Sequence, residues 1–233
     1  MRRSGPVLVA VLLVSSAALT WTSAWLRWQS VCPIGGDWNS DACLVRQEHA
    51  FDSVPVSEPW QADPSWSLWG GLGMTLLAMA VLLLPLALST HRWQRAALVL
   101  PALSLGIVGV TATLSGLQER VVDVPAHPLA IYLILLPLPV ALLLMLRRPG
   151  PMSTGGQLRG LVVTSLVLAT PLAQALLVAP VLILYSSYDT APWTEAAVVP
   201  CLLAAAAGLR PWSATRTVTP ADQEQRPVPA RSA

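Results

Sequence analysis

Polar and apolar positions divide this chain into long blocks with no short-period alternation. Residues 4–26, 64–90, 96–118, 124–146 and 160–188 contain no Asp, Glu, Lys or Arg. Each block exceeds the roughly 20 residues that an α-helix needs to cross about 30 Å of hydrocarbon. A sixth stretch, 192–209, is weaker because Glu195 lies near its start and alanine dominates its second half. Backbone amides in lipid must be satisfied within their own segment, so such blocks read as helices. Pro85, Pro101, Pro137, Pro139, Pro171 and Pro180 fall inside or at the ends of blocks. In water they would argue against helix, whereas membrane helices accept proline as a kink or an end. The pattern predicts an all-α, polytopic integral membrane bundle. Its six transmembrane helices are expected near 5–26, 66–88, 96–117, 126–146, 160–185 and 192–209.

Composition sharpens this reading. Of 233 residues, 54% are hydrophobic and 11% charged, less than half the roughly 25% charge of a soluble domain. All 14 basic residues are Arg, which together with abundant Ala, Leu, Val and Pro suggests a bacterial source with GC-rich coding. With both termini cytoplasmic, six spans leave eleven Arg and two acidic residues inside. The outer segments then hold Arg27, Arg46 and Arg120 against ten carboxylates. That is the positive-inside distribution of a multi-pass protein of the bacterial cytoplasmic membrane. Five spans would place the Arg-bearing tail outside and weaken it. Trp21, Trp25, Trp28, Trp66, Trp69, Trp93, Trp193 and Trp212 cluster at predicted span ends, where an indole ring can be half-buried with a wet N–H.

The first block could also be read as a cleaved signal peptide, with Met1-Arg2-Arg3, an apolar stretch and Ser16-Ala17-Ala18 as its parts. The apolar run continues to Leu26, which suits an uncleaved anchor. Outside the spans, the main feature is an acidic outer loop, 27–65, and the segment 211–233 reads as a disordered cytoplasmic tail.

Candidate chemistry is sparse. Cys32 and Cys43 lie in the outer loop with ten residues between them. A disulfide there would close the loop and stabilise it by about 3 kcal/mol if chain entropy dominates. Thiol oxidoreductases of the vitamin K epoxide reductase family also combine several spans with cysteine pairs. Here Cys-x-x-Cys and a second outer pair are both missing, and Cys201 stands alone in the sixth span. Asp37, Asn39, Asp41 and Glu48 occupy positions 1, 3, 5 and 12 of an EF-hand-like spacing. Position 6, normally Gly, is Ala42, and an acidic solvated loop explains the same residues.

Within the spans, polar side chains are limited to Ser, Thr and Gln, among them Ser104, Thr111, Thr113, Ser115, Thr170 and Gln174. Hydrogen bonds between helices account for them most simply, at about 0.6 kcal/mol each. Gln174, beside Pro171, stands out because an amide at that depth needs a partner or a hydrated cavity. Gly70, Gly71 and Gly73 in the second span, and Gly106 and Gly109 in the third, suggest close helix contacts.

No motif for a nucleotide, a metal, a cofactor or a catalytic nucleophile is present, and nothing points to nucleic acid. The sequence therefore favours a non-enzymatic accessory or interaction component, partnered by the lipid bilayer. The loop 27–65 would contact a membrane or extracytoplasmic protein. A transporter or facilitator of a neutral or lipidic solute, with Gln174 on its path, is the alternative. A membrane thiol oxidoreductase is the third reading.

Overall fold

The structure is a computed structural model. It describes all residues except 1–3, 49–50, 53, 55, 57–59, 61–63, 89, 147–153, 179–190 and 216–233. Among the described residues the chain is helical throughout, with no strand. Helix α1 (Ser4–Trp28) is followed by the short α2 (Asp41–Arg46) inside the disulfide loop. Then come α3 (Pro64–Ala87), α4 (Arg92–Gln118), α5 (His127–Leu135) and α6 (Pro137–Leu144). Helix α7 (Thr154–Leu168) leads into α8 (Pro171–Ala173) and one π-helical turn, Gln174–Val178. A 3₁₀ turn, Glu195–Ala197, opens α9 (Val198–Thr215).

Helices α1, α3 and α4 are each long and apolar enough to cross a membrane unaided. The bent pairs α5/α6 and α7/α8 bring that number to as many as five, and Glu195–Leu209 is a shorter apolar helix. The chain is therefore a multi-span helical protein. Its outward surfaces agree: Leu86, Leu100, Leu117 and Leu129 are all more than half exposed. In water that would be a large apolar patch in need of a cover, and hydrocarbon is the cover that suits it.

Two expected spans differ in shape. The one at 126–146 bends by 41° between α5 and α6, where Pro137 follows Leu136. The one at 160–185 starts earlier, at Thr154, and bends by 70° between Leu168 and Pro171. Its expected end, 179–185, lies outside the described residues. Helix α9 runs on to Thr215, past the expected start of the tail at 211, and 216–233 lie outside the described residues.

The passes alternate in direction and close into a ring. Helix α1 packs on α3 and α9, α3 on α4, α4 on α5 and α6, α6 on α7, and α7 on α9. One end of the bundle carries the disulfide loop and the other gathers Gln94 and Arg159. Small residues set the register of the α3–α4 seam. A Cβ on Gly109 would lie 2.7 Å from the backbone N and Oγ1 of Thr75. One on Gly71 would collide with Thr113, and Gly106 faces Ala78 at 3.8 Å. Each step along one helix is thus matched by an equal step back along the other. The α1–α3 seam is clipped by two hydrogen bonds: the Ser16 hydroxyl donates to the Gly73 carbonyl (2.8 Å) and Ser23 to that of Trp66 (2.7 Å).

At the arginine end, α6 finishes against two side chains. Gln94 Nε2 donates to the Leu144 carbonyl at 2.8 Å. Arg159 donates to the Met145 carbonyl through Nε at 2.8 Å and through a terminal nitrogen at 2.5 Å. A cation at a helix C-terminus meets both the unpaired carbonyls and the negative end of the helix dipole. Arg159 is thus a buried cap of α6.

Candidate functional site

Two structures at the disulfide end concentrate this protein's chemistry: a clamp of charged and aromatic groups, and a cavity beneath it. Cys32 and Cys43 are bonded, with 5.2 Å between their Cα atoms. Both are fully buried, in a small cluster with Ala24, Trp28 and Trp193. The Trp193 indole N–H donates to the Cys32 carbonyl at 2.7 Å, so the loop is tied to the segment that opens α9. Trp21 and Trp25 also pack against Trp193, tilted and edge-on, with ring centroids 5.9 and 6.1 Å away.

Arg27, at the end of α1, is 1% exposed. Its guanidinium pairs with Glu195 at 2.5 Å and with Asp52 at 3.1 Å. It lies 4.3 Å above the Trp28 ring, whose indole N–H donates to the other Glu195 oxygen at 2.8 Å. Both carboxylate oxygens of Glu195 therefore have charged or indole donors. The planar fork of arginine serves two carboxylates and a ring face at once, which an ammonium could not do. The sequence pattern counts Arg27 as a topology residue and Glu195 as a flaw in the sixth span. The available signal was that a carboxylate at a span entry needs a partner, and a basic residue at another span's end can supply it.

The tryptophans divide in a way their positions do not predict. Trp21, Trp25, Trp69 and Trp93 are exposed, as an interfacial belt requires. Trp28, Trp66 and Trp193 are buried and belong to the core of the clamp. Arg46 stacks 4.6 Å from the Trp66 ring and 5.0 Å from Phe51, pinning the loop to the start of α3.

Below the clamp, the ring holds a half-open cavity of about 340 Å³. Every pass except that of α5 itself contributes to its lining, with α6 standing for the α5/α6 pair. Its deep part is aliphatic: Leu77, Val81, Leu105, Leu138, Leu142, Leu166 and Leu202. Its polar end holds Ser16, Thr20, Ser23, Thr170, Gln174, Thr194 and Glu195. The break in the fifth span makes this wall. Thr170 takes an extended conformation (φ −73°, ψ 149°) before Pro171, the geometry that a following proline favours. The interruption releases carbonyls, and side chains take them up. The Thr170 hydroxyl donates to Val167 O at 2.6 Å, and Gln174 Nε2 donates to Leu168 O at 2.6 Å. Gln174 Oε1 is left with no hydrogen-bond partner among the described residues.

The remaining sequence candidates separate. Ser104, Thr111, Thr113 and Ser115 donate to carbonyls of their own helix, at Leu100, Val108, Gly109 and Thr111. They neither bridge helices nor line the cavity. Short hydroxyl side chains in a helix readily bond back one turn, and here that option wins. In the loop, the Asp37 carboxylate accepts from the Asn39 amide at 2.9 Å, an Asx-turn, while Asp41 begins α2. The calcium spacing is thus taken up by a turn and a helix, and among the described residues no three His, Cys, Asp or Glu side chains converge on a metal-sized space. Cys201, in α9, donates to Ala197 O at 3.8 Å and is a free cysteine outside the disulfide.

Comparison of the chain with protein-family models, curated proteins and solved structures gives no match.

Proposed function

We propose that this protein binds a neutral or lipidic solute inside its helical bundle and acts as a facilitator or carrier for it. The observation behind this reading is the cavity at the break of the fifth span, with Gln174 on its wall. Irregular backbone at membrane depth is tolerated where it lines a cavity, and transporters place their binding sites at such interrupted helices. An aliphatic interior with a few convergent polar groups is the general character of a small-molecule site. The setting is a bacterial cytoplasmic membrane, with six crossings, both termini in the cytoplasm and the disulfide loop outside.

The test uses the full chain in nanodiscs and tritiated decanol, a single-chain neutral amphiphile. Saturable binding is expected, and Met74→Trp, which fills the cavity from α3, should abolish it while the variant still elutes as a folded species. Non-saturable uptake equal to that of empty nanodiscs would end the proposal.

A second reading has its own observation. The loop is held rigidly by the disulfide and the clamp, yet Ile34 and Val45 on it are 65% and 52% exposed. Fixed, exposed aliphatics outside the membrane suit contact with a membrane or extracytoplasmic protein. Site-directed crosslinking from Ile34 in whole cells should give one discrete adduct that Val45→Asp removes. A smear unaffected by Val45→Asp would argue against the contact.

A further inference from the structure

The donor hydrogens at the polar end of the cavity are almost all committed, and this says what the ligand's head must be. The hydroxyl of Ser16 donates to Gly73 O, that of Ser23 to Trp66 O, and that of Thr194 to Ala191 O at 2.9 Å. Thr170 and Gln174 Nε2 give theirs to the carbonyls at the helix break. What these groups have left to offer is mainly oxygen lone pairs, with one remaining N–H on Gln174. Gln174 Oε1 has no hydrogen-bond partner among the described residues and lies buried behind the cavity wall, its side of the amide fixed because the Leu168 carbonyl takes the nitrogen. Glu195 adds a carboxylate. The nearby cation, Arg27, does not line the cavity, and its charge is met by Glu195 and Asp52. Thr20 is the one lining hydroxyl with no such bond among the described residues.

From this arrangement we infer that the cavity selects an amphiphile whose head donates hydrogen bonds, a hydroxyl or an amine, and rejects an anionic head of the same length. An acid or phosphate would present lone pairs to lone pairs, next to a negative carboxylate, with its hydration removed. An alcohol can donate its proton to the Glu195 carboxylate, which keeps 22% exposure, and can accept from Thr20. The inference rests on the cavity being the binding site, and the experiment separates the two.

Decanol, decylamine and decanoate are compared at pH 8 as competitors of tritiated decanol on the full chain in nanodiscs. Decanol and decylamine should compete at least about tenfold better than decanoate, the difference that one unpaired buried polar group typically makes. Glu195→Gln should narrow the gap between decylamine and decanoate, a readout that does not depend on Gln174 keeping the helix break in shape. Equal competition by all three heads would overturn the head-group inference and leave the cavity as a lipid site. Absence of saturable decanol binding would remove both.

Discussion

The two halves of the bundle solve the membrane problem differently. Helices α1, α3 and α4 are continuous, and glycines with hydroxyl clips fix their register. The passes made by α5/α6, α7/α8 and α9 are bent by 41°, bent by 70° or begun by a 3₁₀ turn. Proline content does not make the difference. Pro85 and Pro101 sit inside α3 and α4, buried in the seams of the straight half. Pro137 and Pro171 sit at the breaks, and Pro171 is exposed. A missing N–H is absorbed where neighbours hold the helix on both sides, and becomes a hinge where a cavity adjoins it. A rigid wall opposite a broken one leaves room for the cavity between them.

The largest effect is expected where the halves are tied together. Arg27, from the straight half, is the counter-ion of Glu195, from the broken half. Arg27→Ala removes the cation that Glu195 and Asp52 share, a loss of about 3–5 kcal/mol for a buried pair. The value should fall toward the low end because Asp52 and Glu195 keep 17% and 22% exposure. Thermal unfolding in mild detergent measures it, with Arg27→Lys expected to recover only part, since one ammonium cannot serve both partners. A full recovery by lysine would mean that the clamp is a simple charge pair.

Next come the glycines, which set one half directly against the other. Gly71→Ala drives a methyl into Thr113 and should cost about 1–3 kcal/mol. Gly160, on α7, has nothing within 4 Å of an added Cβ, so Gly160→Ala should gain up to about 1 kcal/mol from helix propensity. Opposite signs in the same melting assay are the expected outcome. If both variants lose stability alike, the straight half is not the tighter of the two.

The helix break offers a third test. Pro171→Ala restores an N–H, but Val167 O already accepts from the amide and hydroxyl of Thr170. The single change should therefore leave the bend and the binding of decanol nearly intact. Combined with Thr170→Val it removes the hydroxyl donor and leaves only the residue-170 amide to compete with the restored N–H for Val167 O, which should straighten the wall and lower decanol affinity about fivefold, roughly 1 kcal/mol. An equal loss from Pro171→Ala alone would assign the bend to proline by itself.

How much of this was legible differs between the halves in the same way. Block lengths placed α1, α3 and α4 within a few residues, because a hydrocarbon core imposes a length and forbids charge. The disulfide followed from two cysteines in one short loop. The break angles, the split of the tryptophans into belt and core, and the Arg27–Glu195 pair were not legible. Each depends on which helix lies beside which, and block lengths hold no information on neighbours. The ring order brings residue 27 to residue 195 across 168 positions, and hydropathy alone does not encode it.

The smallest expected effect tests whether the hydroxyl clips contribute to that ring order at all. Ser16 donates across the α1–α3 seam to Gly73 O, while Ser104 donates back along α4 to Leu100 O. In each case the accepting carbonyl lies in a helix and has its own backbone donor, so removing the hydroxyl leaves no orphaned acceptor. What Ser16→Ala loses is one interhelical bond, about 0.6 kcal/mol by the average for membrane helices. Ser104→Ala loses only a local bond that the unfolded-in-membrane helix makes equally well, so its cost should be close to zero. Measured side by side by thermal unfolding in the same detergent, the two serines should differ by that amount. A Ser104→Ala loss as large as that of Ser16→Ala would mean that the clips are incidental, and that glycine packing alone holds the straight half in register.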